Sequence, residues 1–347
     1  MKACTVVSGK IESAAVEEVP EPPLEDGEIL VEGLLVGVCG TDVEIAEQGY
    51  GVPPAGRDRM TLFHESLGRV LEAPAGGPAK GDLVVGIVRR PDPVPCVCCA
   101  ADQWDFCRNG QFTERGIKGM DGYGSERWRV PAKFAVKIDP ALHELGVLLE
   151  PTSVVAKAWD QTEKIGQRAC YAPEKVLVTG AGPIGLLAAL LGVQRGLEVH
   201  VVDRVTDGLK PALVADLGAT YHFQGVDSLG FAPDVVIEAT GVGQLVMDVM
   251  QHCAPNAIVC LTGISSGHHT VAADADALNK ELVLTNEVVF GSVNAGRQHY
   301  EQAAEALARA DRSWLERLIT RRVPMPSWPE ALNRQPDDVK VVVDLQG

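Results

Sequence analysis

The sequence lacks any apolar run of the ~18 residues that a membrane-spanning helix needs. Its longest candidate, IGLLAALLGV, has only the length of a buried helix. The opening residues, MKACTVVSGK, run directly into strand-like alternation, without the apolar core and small-residue cleavage site of a secretory signal. A cytoplasmic protein is therefore expected. Positive charge is also scarce: 31 Lys and Arg stand against 47 Asp and Glu, a formal net charge of −16. That deficit argues against nucleic acid and anionic membrane surfaces as partners, since both demand basic patches. Internal repeats and low-complexity segments are missing as well.

What is present is a globular composition, 46% hydrophobic and 22% charged, spread over 347 residues, enough for two domains. The first ~150 residues read as strands. EILVEGLLVGVC, GDLVVGIVRR and RWRVPAKFAVKI are β-branched runs broken by Gly, Pro and Asp. Near residue 140 the texture changes. ELGVLLEPTSVVAKAWDQTE has the apolar spacing of a long helix, interrupted early by Pro151. Strand and helix signals then alternate through KVLVTG, PIGLLAALLGVQRG, EVHVVD, LKPALVADLG, DVVIEATG, QLVMDVMQHC, AIVCLTG and VVFGSVN. Apolar strands separated by amphipathic helices predict a parallel sheet with helices on both faces. The tail after residue 295, a helix, a proline-rich stretch and the strand KVVVDL, does not extend that series and is expected to return to the first domain. The predicted division is residues 1–152, 153–294 and 295–347, an α/β protein overall.

VLVTGAGPIGLLAALLG sets Gly180, Gly182 and Gly185 as G-x-G-x-x-G between a strand and a helix. Such glycines permit a tight turn, close approach of backbone to a pyrophosphate, and close packing of helix on strand. EVHVVD delivers Asp203 eighteen residues after Gly185, near the position of a ribose-binding acid. An acid there accepts from the adenine-ribose hydroxyls and repels a 2′-phosphate, so NAD is expected. Arg204 follows directly and leaves NADP open.

The first half also holds CGTD at 39–42, His64 and Glu65 in HES, and Glu150 in LLEP. A thiolate, an imidazole and carboxylates suit a catalytic zinc with one position left for water or substrate. Taken singly, each is ordinary; in this order, just ahead of a dinucleotide-binding pattern, they are informative.

With C-G-T-D, H-E-x-x-G-x-V, GDLV at 81–84, a cysteine lobe, E-P, the glycine fingerprint and EATG, the chain resembles the zinc-dependent medium-chain dehydrogenases from end to end. Within them it is most similar to the archaeal glucose dehydrogenases, through FTERGIKGMDGYGSERWRVPAKFAVKIDP, the RRP before the cysteine lobe, and GSVN followed by His299. The resemblance implies a mostly-β GroES-like catalytic domain, a Rossmann-type coenzyme domain, and a homo-oligomer (dimer or tetramer). It implies that Cys39, His64, Glu65 and Glu150 form the catalytic-zinc shell and that Thr41 bonds the reacting hydroxyl. Glu114, Glu150, Asn294 and His299 would contact a polyhydroxylated small-molecule substrate or the nicotinamide edge. Pro183, Ile184, Thr240, Gly263, Val293 and Asn294 would join the glycines on the coenzyme. One departure is Phe63, where the superfamily usually has glycine.

The same resemblance bears on CVCCAADQWDFC, residues 96–107, which holds four of nine cysteines. The superfamily commonly binds a structural zinc through C-x2-C-x2-C-x7-C. Cys96, Cys99 and Cys107 fall on that pattern, the first position is Pro93, and the fourth ligand is Cys98 or Asp92. A lobe that has lost its metal and keeps reduced thiols is the competing reading; a disulfide is disfavoured in the cytosol. Cys4, Cys170, Cys253 and Cys260 read as core. The implied activity is hydride transfer from a sugar hydroxyl, at C1 of an aldose, to NAD(P). A polyol, secondary-alcohol or threonine dehydrogenase, and a non-catalytic dinucleotide-binding protein, are the alternatives.

Overall fold

The computed structural model describes residues 1–265 and 270–347. Its chain divides into two compact units, Met1–Ser153 with Asn294–Gly347, and Val154–Val293.

The first unit is built on a seven-stranded, mostly antiparallel sheet. Its central strand, Glu28–Gly37, is flanked by Glu65–Glu72 on one side and Lys340–Asp344 on the other. Along Glu28–Gly37 burial alternates as period-2 side chains require, then becomes continuous over the last three residues. The buried end of the strand leads directly into the half-buried Val38 and Cys39. Lys340–Asp344 comes from the tail beyond residue 295 and pairs with both Glu28–Gly37 and Ile319–Pro324, so that tail completes the first unit's sheet. Among the described residues no helix is long and apolar enough to cross a membrane.

Phe63 explains the usual glycine at its position. Its φ is +72°, a left-handed backbone that a bulky residue adopts only under constraint. Here the Phe63 carbonyl accepts the Tyr123 N–H at 2.7 Å, and the buried ring meets Trp328 edge-on at 5.5 Å. Aromatic packing offsets a local strain of about 1–3 kcal/mol, and the chain still turns to present His64.

The second unit is a six-stranded, all-parallel sheet. Counted along the chain from Lys175–Thr179, its spatial order is 3-2-1-4-5-6, the doubly wound Rossmann arrangement. Leu177, Val236 and Val259, fully buried on three neighbouring strands, form the centre of its core. Pro151 does not interrupt the long helix Leu149–Gly166. It lies in the first turn, where the missing N–H costs nothing.

The glycine fingerprint divides into two physical roles. A Cβ on Gly185 would stand 1.8 Å from the Gly180 carbonyl oxygen, whereas one on Gly182 would meet nothing within 4 Å. Gly185 therefore serves packing, and Gly182 serves whatever approaches from outside. Gly185→Ala is expected to destabilise the fold by about 1–3 kcal/mol through overpacking, while Gly182→Ala leaves the thermal midpoint essentially unchanged and weakens coenzyme binding. Thermal unfolding and coenzyme titration of the two variants check the contrast; equal losses of stability would contradict it.

Candidate active site and cysteine lobe

Cys39 is the residue just before the helix Gly40–Gln48, and its N–H donates to the Asp42 carboxylate at 2.8 Å. His64 and Glu65 arrive at the start of the strand Glu65–Glu72. Together these elements bring the Cys39 sulfur, a His64 ring nitrogen and a Glu65 carboxylate oxygen within 4.8 Å of one another. Gly37 makes room for them, because a Cβ there would sit 1.9 Å from Glu65 Oε2. The Thr41 hydroxyl lies 3.8 Å from the Cys39 sulfur. Glu150, at the start of the long helix and buried, stands outside this tight trio but within its electrostatic reach.

Two residues of the site went unassigned in the sequence. Asp42 is fully buried, and its Oδ1 lies 3.7 Å from His64 Nδ1. Lys340 is 1% exposed; its Nζ donates to Glu65 Oε1 at 2.6 Å and to the Val38 carbonyl at 3.0 Å. Asp42 is visible as the last letter of C-G-T-D; Lys340 is 275 residues from Glu65 and carries no motif.

The electrostatics follow from burial and crowding. Burial above all pushes the Glu150 carboxyl up to about 7, with Glu65 and Asp42 adding and His64 and Lys340 opposing. Asp42 is also raised, chiefly by burial. Burial works hardest against a charged His64 and a charged Lys340, yet the neighbours together outweigh it and raise both: Asp42, Cys39 and Glu150 about the imidazole, Glu65, Cys39 and Glu150 about the ammonium. Asp42 Oδ1 and His64 Nδ1 are buried and make no hydrogen bond. A thiolate, an imidazole and a carboxylate, packed this closely and incompletely satisfied, fit a zinc ion. With zinc bound, Asp42 beside the ring would be the carboxylate that orients a ligating histidine.

Glu114 and Asn294 also meet: Asn294 Nδ2 donates to Glu114 Oε1 at 2.9 Å, and both are buried. His299 is 1% exposed and is used differently. Its Nδ1 accepts the Gly296 N–H at 3.0 Å, capping the helix Arg297–Arg309.

The candidate coenzyme residues of the second unit all lie beyond the carboxyl ends of its parallel strands, where open α/β sheets bind ligands. Gly180, Gly182, Pro183, Ile184 and Gly185 follow Lys175–Thr179, with Pro183 opening the helix Pro183–Gln194. Asp203 and the exposed Arg204 follow Glu198–Val202; Thr240 follows Val235–Glu238; Gly263 follows Ile258–Leu261; the exposed Val293 follows Val288–Gly291. Asp203 is not a free acceptor. Its Oδ2 takes the Ala181 N–H at 2.7 Å, its Oδ1 the Val205 N–H at 3.2 Å, and Lys210 Nζ lies 3.6 Å away. Glu238, the acid of EATG, has a role that the motif alone did not reveal. Fully buried, it gathers the Thr179 hydroxyl at 3.2 Å and the Thr240 N–H at 2.7 Å and so shapes the loop.

In the cysteine lobe the sulfurs of Cys96, Cys99 and Cys107 lie within 4.8 Å of one another. Cys98 is outside that group. The Asp92 backbone N–H points at the Cys99 sulfur, and Asp92 Oδ2 is buried without a hydrogen bond. All nine cysteines are free; Cys170 is exposed and not core as its sequence context suggested. Burial pushes Cys99 up to about 11, whereas the Arg108 N–H, 3.3 Å from the Cys96 sulfur, and the Cys99 N–H bring Cys96 down to about 6.

Residues 143–345 match the family described as glucose dehydrogenase C-terminus, and residues 25–140 match the alcohol dehydrogenase GroES-like domain. The chain is 39% identical to a glucose 1-dehydrogenase of Methanocella arvoryzae, with 99% of each chain covered. It is 38% identical to one of Thermoproteus tenax over the whole of both. The glucose dehydrogenase of Haloferax mediterranei, solved with NADP, zinc and gluconolactone, superposes with a TM-score of 0.93 at 32% identity over 100% of both chains.

The low-lying Cys96 thiol generates a test of the lobe. In metal-stripped protein, Cys96 should alkylate with iodoacetamide along a pH profile centred near 6, well below that of an ordinary thiol, and zinc should suppress the reaction. Peptide mapping across pH 5–9 reads this directly. A profile centred near 8.5 would contradict the assignment.

Proposed function

Because the chain belongs to the glucose dehydrogenase branch of the zinc-dependent medium-chain dehydrogenases, we propose that it oxidises C1 of an aldose to the lactone, with NADP as hydride acceptor, in the cytoplasm. The observation that carries this reading is the trio of half-buried Cys39 with buried His64 and Glu65, the Thr41 hydroxyl lying 3.8 Å from the Cys39 sulfur. Bound by that trio, zinc would supply Lewis acidity to the sugar hydroxyl and lower its pKa. The Thr41 side chain accepts the hydroxyl proton's hydrogen bond and holds the oxygen in place. Glu150, raised to about 7 by burial, is suited to exchange a proton near neutrality. As that proton leaves, the anomeric C–H bond breaks, its electron pair passes as hydride to the nicotinamide ring, and the C1–O bond becomes the lactone carbonyl. Glu114 and Asn294 present a carboxylate and an amide to the remaining hydroxyls, which penalises substrates lacking them.

NADP is favoured over the NAD expected from Asp203 alone. Both Asp203 oxygens are already held by backbone N–H groups, Lys210 offsets its charge, and Arg204 is exposed beside it. The Haloferax relative was solved with NADP. In the lobe, Cys96, Cys99 and Cys107 would hold a structural zinc, and the orphaned Asp92 Oδ2 favours Asp92 over Cys98 as fourth ligand.

The purified protein should therefore carry about two zinc ions per chain and reduce NADP with aldoses. Cys39→Ser should lose one ion and cut kcat/KM by at least ~100-fold, leaving coenzyme affinity intact. Metal analysis with a substrate panel decides the matter. Turnover of polyols but not aldoses would indicate a polyol dehydrogenase, and zinc without turnover would indicate a non-catalytic dinucleotide-binding protein.

The coenzyme preference has its own test. Arg204→Ala should lower kcat/KM for NADP about 10- to 100-fold, the size of a lost charge-assisted hydrogen bond, while NAD changes little. An unchanged NADP:NAD ratio would remove Arg204 from phosphate recognition.

A further inference from the structure

Arg89 is buried, 6% exposed, on the two-residue strand Arg89–Arg90, and stands directly opposite Glu114 in the antiparallel pairing with Thr113–Arg115. A buried guanidinium must justify its desolvation, and here each face of it is used. Nε and Nη2 both reach Glu114 Oε1 at 3.0 Å. Nη1 donates to the Asp105 carbonyl at 3.1 Å. The guanidinium plane lies 3.8 Å from the centroid of the Phe112 ring.

The fork grips one carboxylate oxygen, not both. Asn294 Nδ2 donates to that same Oε1 at 2.9 Å, and Asn294 Oδ1 accepts the Ala295 N–H at 2.8 Å. Oε1 thus takes two hydrogen bonds and the ion-pair contact of Nη2, and no hydrogen bond reaches Oε2 among the described residues. An arrangement meant only to neutralise a buried acid would engage both oxygens in the parallel fork that Arg and carboxylate favour. This one instead fixes the carboxylate's rotation and leaves Oε2 as an oriented acceptor, beside the second N–H of Asn294 as an oriented donor.

The other end of Arg89 is anchored in the cysteine lobe. Asp105 lies on the turn Trp104–Phe106, immediately before Cys107, one of the three clustered thiols. The Arg89 side chain therefore links the lobe directly to Glu114.

We propose that Arg89, braced on the Asp105 carbonyl and the Phe112 ring, is a positioning residue that holds Glu114 and Asn294 ready for two neighbouring sugar hydroxyls, one donating to Glu114 Oε2 and the other accepting from Asn294 Nδ2. The proposal rests on the aldose-oxidising reading and deepens it: the chain selects adjacent sugar hydroxyls, and it does so from the base of the cysteine lobe. Lysine cannot substitute, since one ammonium on a flexible stem cannot span Glu114 and the Asp105 carbonyl and stack on Phe112.

The test uses the full-length, zinc-loaded enzyme with D-glucose and its singly deoxygenated analogues. Arg89→Met and Arg89→Lys are expected to raise the KM for glucose at least ~10-fold with kcat within about threefold, and to flatten the preference for glucose over the deoxy analogue that lacks the contacted hydroxyl. In a Glu114→Gln background, Arg89→Met should add less than about twofold, because both changes remove one device. Phe112→Leu, which loosens the guanidinium without leaving an unpaired buried charge, should move KM in the same direction by about threefold and serves if Arg89→Met fails to fold. Effects of Arg89→Met and Glu114→Gln that multiply independently, or a Phe112→Leu variant with the KM and deoxy-sugar preference of the parent, would overturn the proposal while leaving the aldose reading intact. A Glu114→Gln enzyme with unchanged KM for every sugar would instead remove Glu114 from the substrate, and both readings of that residue would fall together.

Discussion

Lys340 places a positive charge against Glu65 in a site that also buries Asp42, His64 and Glu150. Taking a charge out of water costs several kcal/mol, and breaking a buried pair from one side is more damaging than never having formed it. Three buried acids therefore need positive charge close by, and the fold supplies it from Lys340 beside Glu65 and from His64, raised beside Asp42. Much of the first unit can be read as the framework for that balance. The strand Glu28–Gly37 delivers Cys39, Gly37 yields space to Glu65, and the tail beyond residue 295 comes back so that Lys340 reaches the same point. Because Lys340 also holds the Val38 carbonyl, it secures both the residue before Cys39 and the carboxylate that completes the trio.

The second unit solves a different problem, the binding of a phosphate-bearing ligand by a chain with a strong excess of acid. Its means are backbone geometry more than charge. The parallel strands end at one edge, the helix Pro183–Gln194 begins there, and the loops are drawn in by a half-buried and a buried carboxylate acting on N–H groups. Asp203 and Glu238 are both used in this way. Each spends acceptor capacity on the chain's own loops, which preorganises the edge before any ligand arrives.

The cysteine lobe stands between stability and recognition. Two of its three clustered thiols are chemically unlike: Cys99 is buried and raised, Cys96 faces N–H groups and is lowered. A metal at such a cluster turns binding free energy into folding free energy. Through the Asp105 carbonyl and Arg89, the same loop is also wired to Glu114.

The sequence alone determined those features whose physics is local. The glycine spacing demands a strand, a tight turn and a helix within a few residues; period-2 and period-3.6 apolar patterns mark the elements; C-G-T-D and H-E lie next to the backbone they depend on. The cysteine spacing marked Cys96, Cys99 and Cys107 as a group for the same reason, and their sulfurs do cluster. Tertiary structure decided the rest. Only the fold pairs Lys340 with Glu65, Asn294 with Glu114 and Arg89 with Asp105, contacts between residues whose separations in the chain carry no periodicity. It alone turned Asp203 inward onto the Ala181 N–H and used His299 as a helix cap. Motifs record what a few neighbouring residues must do; a buried charge finds its partner wherever the packed chain brings one, and that choice is made in three dimensions.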